Sequence, residues 1–167
     1  DRFRPATEST RRDARKSLGL DDRPHMAFVG QLGSPVKGFD ILLKAWSAIG
    51  SDKSWDAKLL VVGWGGDLSH YTHLVASKGL ADSIAFLGRR TDVDRIVSAC
   101  DGFLHPARYD AYGIAAHEAI CSGVPAFVSA AAGFSEQLAH EAPELVVHDY
   151  LSCDSWIDAL RLWRAEL

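Results

Sequence analysis

The sequence predicts an α/β protein in which a doubly wound parallel sheet of about six strands has helices on both faces. The first observation is an alternation. From Arg23 onward, short apolar runs rich in β-branched and aromatic residues are followed by longer segments with helical periodicity. The second is size, since 167 residues that are 47% hydrophobic and 24% charged suit one soluble domain. Together they indicate a single Rossmann-like domain.

The apolar runs that we expect to form strands lie near residues 26–30, 57–63, 83–87, 101–105, 125–129 and 144–148. Between the first two runs, the segment Phe39–Ile49 places Leu42, Trp46 and Ile49 on one helical face. The segment Ile114–Cys121 has the pattern of a second, buried helix. Strands and helices therefore follow one another in the order that a parallel sheet requires.

Residues 1–22 differ from the rest of the chain, because arginines alternate with acidic residues and few apolar side chains intervene. We expect an interdomain linker here, extended from Asp1 to Pro5 and then a solvated helix to about Leu18. The domain itself is expected to span residues 23–167. A membrane-surface role for the basic segment is disfavoured, since a membrane-binding helix needs an apolar face.

Charge and cysteine content exclude several classes of protein. A net charge of −4 and a pI near 5.9 disfavour a nucleic-acid binder, which needs a basic face. The three cysteines contain no C-x-x-C pair, so neither a disulfide framework nor a zinc knuckle is indicated. The sequence has no Asn and no apolar run of roughly 20 residues. We therefore expect a cytoplasmic protein.

Glycine-rich and charged segments follow the first four predicted strands. They are Gly30–Gly33 with Lys37 and Gly38, Gly63–Gly66, Gly88–Arg90, and Pro106–Gly113. Because ligands of doubly wound sheets bind outside the carboxyl ends of the strands, we expect these segments to share one rim.

The most informative segment runs from Asp110 to Glu118, between two apolar runs. Gly113 lies where a strand would lead into a helix, so backbone N–H groups there can bind an anion and the two carboxylates can bind hydroxyls. With 22 acidic residues in the chain, such pairs also arise by chance, so the flanking pattern carries the argument. It favours a sugar nucleotide as ligand. Asp110 is alternatively a helix N-cap, and spacing does not separate the two roles.

Other motifs are absent or incomplete. Neither a P-loop nor a G-x-G-x-x-G after the first strand is present. The segment Gly133–Gln137 lacks the last glycine of a nucleophile elbow, which disfavours a hydrolase. His70 and His73 have no acidic or cysteine partner nearby in sequence, so no metal site is expected. His105 and His117 flank the predicted site, and packing or support suits them better than catalysis.

Taken in order, these segments resemble the C-terminal, donor-binding domain of a GT-B glycosyltransferase of the GT4, or glycosyl transferases group 1, family. The matching motifs are Asp1–Pro5, Phe28–Leu32 with Val36–Asp40, Leu60–Gly66, Ile84–Gly88, Cys100–Pro106 and Asp110–Pro125, the last similar to E-x-F-G-L-x-x-x-E-A-M-A-x-G-x-P. The resemblance covers nearly the whole chain.

The resemblance implies a retaining transferase that uses a nucleoside-diphosphate sugar and needs no cofactor or obligatory metal. It implies catalytic roles for Lys37 at the diphosphate, Asp110 at the sugar hydroxyls and Glu118 at the ribose. It places Gly88 and Arg89 near the base. The donor-binding residues that it implies are Gln31, Lys37, Gly38, Gly88, Arg89, Asp110, Tyr112, Gly113, Ile114 and Glu118.

The resemblance also implies that an N-terminal domain of the same polypeptide binds a glycan or lipid-linked acceptor, so that this fragment alone is inactive. Peripheral association of the full-length protein with the inner face of a membrane would follow. Gln31 stands where the family has Arg, and Asp110 where it has Glu. Two alternatives therefore stay open: a non-catalytic nucleotide- or carbohydrate-binding module, and a nucleotide-sugar epimerase of the same architecture.

Overall fold

The computed structural model describes residues 2–52 and 54–167. Its centre is a sheet of six parallel strands in the order β3-β2-β1-β4-β5-β6. The strands are β1 His25–Val29, β2 Lys58–Val62, β3 Ile84–Gly88, β4 Gly102–His105, β5 Ala126–Ser129 and β6 Val146–Val147. Each lies within the run predicted for it or within one residue of it. The predicted α/β class and strand number are confirmed.

The strand order reverses at β1, which pairs with β2 on one side and with β4 on the other. Met26 and Ala27 of β1 are in register with Gly102 and Phe103 of β4. A Cβ on Gly102 would lie 2.6 Å from the indole nitrogen of buried Trp163 and 2.7 Å from the Met26 methyl group, so this tightly packed position suits glycine. In doubly wound sheets the crevice at such a reversal receives the ligand.

Helices cover both faces of the sheet, as predicted. The helices are α1 Glu8–Leu18, α2 Phe39–Ile49, α3 Leu68–Ser77, α4 Val93–Ser98, α5 Ile114–Cys121, α6 Phe134–Glu141 and α7 Cys153–Ala165. On one face α2, α3 and α7 bury a core that includes Phe28 and Trp156. On the other, α4, α5 and α6 bury one that includes Phe103 and Phe134. The sheet is thus enclosed between two apolar layers.

Two elements, β6 and the N-terminal helix, begin about two residues later than predicted. The last strand begins at Val146 rather than near residue 144, because Pro143 starts a 3₁₀ turn over Pro143–Leu145 and cannot donate to a sheet ladder. The N-terminal helix begins at Glu8, with the Thr7 hydroxyl accepting from the Thr10 N–H, and ends before Gly19.

The N-terminal helix is mostly exposed, as expected, but one of its faces is fixed to the domain. Arg11 donates to the Cys100 carbonyl at 2.7 Å, and Arg15 donates to the Ala99 carbonyl at 3.0 Å. Both arginines also pair with Asp101. Part of the positive charge of this basic segment is therefore neutralised within the chain.

Asp1, the first residue of the predicted linker, lies outside the described residues. None of the described helices combines the length and apolar character that crossing a bilayer demands.

Candidate functional site

Lys37 lies in a short turn held against the end of β4. Ser34 caps this 3₁₀ turn, Pro35–Lys37, and Gly38 ends it with φ +69°. A Cβ on Gly38 would lie 1.8 Å from the Pro106 carbonyl oxygen, so only glycine permits this approach of the two backbones. The approach places Lys37, which follows β1, beside residues that follow β4.

The first contact that results is an ion pair. Lys37 Nζ lies 2.6 Å from Asp110 Oδ2. Burial by itself raises the pKa of Asp110, but the hydrogen bond and charge of Lys37 outweigh burial, and the pKa is lowered from 3.8. The carboxylate is therefore ionised at neutral pH.

Asp110 also orders the loop that leads into α5. Its Oδ1 accepts from the N–H groups of Gly113, at 3.0 Å, and Tyr112, at 3.3 Å. These are two of the three amides that the resemblance assigned to the donor, so in the free protein Asp110 occupies them. The third, Ile114 N–H, has no acceptor among residues 2–52 and 54–167, and Ile114 is 65% exposed. The helix N-cap role left open for Asp110 is not seen, because Gly113 is the N-cap of α5 and no side chain of the described residues caps that position. Asp110 instead orders the loop just before the helix.

His105 is buried directly beside Asp110. It is 3% exposed, and its Nε2 lies 3.2 Å from Asp110 Oδ2 but outside hydrogen-bonding alignment. Burial lowers the pKa of His105 to about 4, although the Asp110 charge acts in the opposite direction. His105 is therefore neutral at pH 7. The other flanking histidine, His117, accepts or donates a bond with the Tyr112 hydroxyl at 2.9 Å and stacks on Phe134.

Glu118 projects from α5 into a separate cleft of about 430 Å³. The cleft is lined by Arg2, Phe3, Ile114, His117, Glu118 and Cys121. Burial raises the pKa of Glu118, while the charge of Arg2 partly offsets that effect. Within the described part of the chain the Glu118 carboxylate has no hydrogen bond or ion pair. Both of its oxygens are thus available to a ligand.

The remaining predicted residues line a third cleft, at the ends of β1, β2 and β3. Gln31, Trp64 and Arg89 form part of its wall, and its volume is about 300 Å³. Gly88 ends β3 with φ +67°, and its carbonyl accepts from the Gly63 N–H at 2.9 Å. The structure thus brings Lys37, Asp110, Tyr112 and Gly113 into contact, and places Gln31, Arg89 and Glu118 in flanking clefts on the same side.

The sequence analysis missed Arg108, which holds the Lys37 turn in place. Its backbone N–H donates to the Val36 carbonyl at 2.8 Å, and its guanidinium donates to the Pro35 carbonyl at 2.6 Å. Its ionic partner is Asp40, the last residue of the matching segment Val36–Asp40. Nothing in the sequence around Arg108 indicates this role, because the contact joins residues separated by 68 positions.

Among residues 2–52 and 54–167, no group of three or more His, Cys, Asp or Glu side chains could hold a metal ion. Ser135, the serine of the incomplete elbow, is buried within α6 and donates to the Ala130 carbonyl at 3.3 Å. It is not presented to a substrate.

Comparison with known proteins agrees with this architecture. The profile of the family "Glycosyl transferases group 1" matches residues 10–166. The lipopolysaccharide core biosynthesis mannosyltransferase LpsB of Rhizobium meliloti is 34% identical over 141 residues, 81% of this chain and 39% of LpsB. The chain thus spans about two fifths of that relative's length.

Solved structures give the same result. Sucrose-phosphate synthase from Thermosynechococcus elongatus superposes with a TM-score of 0.82 at 26% identity, covering 99% of this chain and 41% of that one. Anabaena Alr3699/HepE, solved in complex with UDP and glucose, superposes with a TM-score of 0.69 at 25% identity over 81% of this chain and 37% of its own. The resemblance deduced from the motifs is confirmed, and the chain belongs to the glycosyl transferases group 1 family.

Proposed function

We propose that this chain is the donor-binding domain of a retaining glycosyltransferase that moves a hexose from a nucleoside-diphosphate sugar to a glycan or lipid-linked acceptor. The observation that carries the proposal is the ion pair of Lys37 with Asp110 beside the N-terminus of α5. A cation, a carboxylate and a helix N-terminus converge there, which suits a sugar diphosphate. The UDP and glucose bound by HepE support the same ligand class.

Lys37 would hold the diphosphate. An ammonium group has three N–H donors, and Asp110 accepts from one, so two remain for phosphate oxygens. The free Ile114 N–H and the positive end of the α5 dipole would add to this attraction. Together they would neutralise the charge that grows on the leaving nucleoside diphosphate as the glycosidic bond breaks.

The carboxylates would bind hydroxyls. Asp110 accepts from Lys37, Gly113 and Tyr112, so about one of its roughly four lone-pair positions remains for a sugar hydroxyl. Glu118, whose oxygens have no partner within the described ranges, would accept from the ribose. Neither role requires a metal, and we propose that none is obligatory.

The acceptor side of the reaction would belong to an N-terminal domain of the same polypeptide. This chain alone is therefore expected to bind nucleotide and to transfer no sugar. If the acceptor is lipid-linked, the full-length protein would work on the inner face of a membrane.

Calorimetric titration with UDP, GDP and ADP and their sugar conjugates tests the proposal. One nucleotide should bind, and Lys37→Ala and Glu118→Ala should each weaken it. Lys78→Ala and Glu144→Ala remove the same kinds of charge from exposed positions just after α3 and just before β6, so they should have no effect. Binding that is equally insensitive to all four substitutions would contradict the proposed site.

Gln31 favours one alternative, a binding module that does not catalyse transfer, because the neutral side chain leaves one cation fewer near the diphosphate. Sugar transfer by the full-length protein at a rate that Lys37→Ala abolishes would exclude the module. An isomerised sugar nucleotide formed without acceptor would instead indicate an epimerase.

A further inference from the structure

The cleft at the ends of β1, β2 and β3 contains an indole ring that faces solvent. Trp64 is 50% exposed, whereas Trp46, Trp156 and Trp163 are at most 2% exposed. The hydrophobic effect favours burial of so large an aromatic side chain, and its exposure beside a cleft is typical of a ligand-binding position.

The backbone fixes this exposed position. A Cβ on Gly63 would lie 1.8 Å from the Gly30 carbonyl oxygen, and one on Gly65 would lie 2.4 Å from the Gly33 nitrogen. The Leu32 N–H also donates to the Trp64 carbonyl at 2.9 Å. Because the loop packs directly on its neighbour, the backbone that carries the indole is fixed before any ligand binds.

Arg89 lies against the indole. Its guanidinium carbon is 5.4 Å from the ring centroid, within the range of a cation–π contact. The neighbouring Arg90 is paired with Asp92 at 2.7 Å, but Arg89 has no ion pair within the described ranges. An aromatic ring and a cation without an ion pair in those ranges therefore line the same cleft as the apolar side chains Val29, Val62 and Val93.

The chemistry of this cleft suits a flat, aromatic ring with polar edges. The position of the cleft suits the base, which is the end of a nucleotide that lies away from the diphosphate. Arg89 follows β3 and Asp110 follows β4, three strand spacings apart in the sheet, or about 14 Å. With the diphosphate at Lys37, which follows β1, a nucleotide extending toward β3 would place its base against Trp64.

We infer that Trp64, with Arg89 against its ring, is the surface on which the nucleobase of the donor stacks. The inference rests on the proposed function and extends it by naming a residue that sets affinity. Stacking on an indole accepts any base, so Trp64 contributes to binding strength and not to the choice among bases. The apolar side chains that line the same cleft would help to exclude water from the bound base.

The test compares a nucleoside diphosphate with inorganic pyrophosphate, which has no base. On the 167-residue chain, Trp64→Ala should weaken UDP, GDP or ADP, whichever binds, by roughly 5- to 150-fold. It should leave pyrophosphate binding unchanged. Trp64→Phe should keep most of the nucleotide affinity, since a phenyl ring also stacks. Lys37→Ala should weaken nucleotide and pyrophosphate alike. Leu151→Ala, which removes a side chain of 59% exposure beyond β6, is the control and should change neither.

Indole fluorescence gives a second readout. Trp64 is the most exposed tryptophan, so nucleotide should quench the emission of the unmodified chain, and Trp64→Phe should abolish that quenching while binding persists. Nucleotide binding that Lys37→Ala weakens and Trp64→Ala does not would overturn the inference and leave the proposed function intact. If neither nucleotide nor pyrophosphate binds the unmodified chain, the proposed function is wrong and the inference falls with it.

Discussion

Arg108 binds both carboxylate oxygens of Asp40, with Nη1 2.6 Å from Oδ1 and Nη2 2.8 Å from Oδ2. The same guanidinium donates to the Pro35 carbonyl, in the turn that carries Lys37. The pair therefore joins the loop after β4 to the start of α2. It also fixes the Pro35–Lys37 turn, which directly precedes α2. Because Arg108 hydrogen-bonds and neutralises Asp40, the pKa of that carboxyl group is lowered.

Arg108→Ala is expected to weaken nucleotide binding through the Lys37 turn rather than through direct contact. Loss of a bidentate, half-buried pair should lower the free energy of unfolding by about 1–2 kcal/mol. Urea denaturation and calorimetry would measure the two effects. Arg164→Ala breaks another bidentate pair, with Asp56 at 3.0 and 3.1 Å, near the end of α7. That control should lose stability and keep nucleotide affinity. Equal affinity loss in both variants would contradict a positioning role for Arg108.

Gly38→Ala is expected to disrupt the same turn through its backbone. The substitution forces a side chain into left-handed backbone at φ +69° and into the Pro106 carbonyl, 1.8 Å away. Gly79→Ala separates backbone strain from steric overlap. Gly79 also has left-handed backbone, with φ +70°, but no atom lies within 4 Å of the added Cβ. The control should cost about 1–2 kcal/mol from backbone strain alone. Thermal or urea unfolding should show a clearly larger cost for Gly38→Ala, and similar costs would mean that the contact with Pro106 relaxes freely.

Gln31→Arg is expected to tighten nucleoside-diphosphate binding by restoring a cation at the rim. Gln31 is exposed and follows β1, as Lys37 does, so a guanidinium there would remain solvated until phosphate arrives. Its attraction should fall as salt rises, because exposed charges are screened. Calorimetry at low and high ionic strength would measure this. The corresponding nucleoside without phosphate is the reference, and an equal gain for it would show that the added side chain acts through stacking instead.

His105→Gln is expected to flatten the pH dependence of stability between pH 6.5 and about 4. In this range the histidine of the unfolded chain, with a pKa near 6.5, binds a proton that folded His105, with a pKa of about 4, does not. Falling pH therefore favours unfolding. Urea denaturation across this range gives the slope for each variant, and buried His25 is present in both, so its effect cancels. His73→Gln, on the exposed side of α3, is the control. If the free energy of unfolding changed with pH in the same way for the unmodified chain, His105→Gln and His73→Gln, a buried and neutral His105 would be contradicted.

Much of the fold follows from local pattern. Short apolar runs form the mostly buried parallel strands, which are two to five residues long, and the helical period of Phe39–Ile49 marks a helix that covers them. The start of β6 did not follow from this pattern, because Pro143 begins a 3₁₀ turn that occupies residues 143–145 and delays the strand. Nor did the attachment of the N-terminal helix, since Arg11 and Arg15 bind carbonyls and a carboxylate some 84–90 residues away.

The sequence by itself determined which side chains follow each strand, and hence that Lys37, Asp110 and Arg89 lie on one rim. Parallel strands dictate that result, because all their carboxyl ends point the same way. Only the tertiary structure decided which of these residues touch. The Lys37–Asp110 ion pair, the clamp of Arg108 on Asp40 and the exposed face of Trp64 depend on approaches of backbone to backbone within a few ångströms. Such approaches join segments far apart in the chain, and no local pattern specifies them.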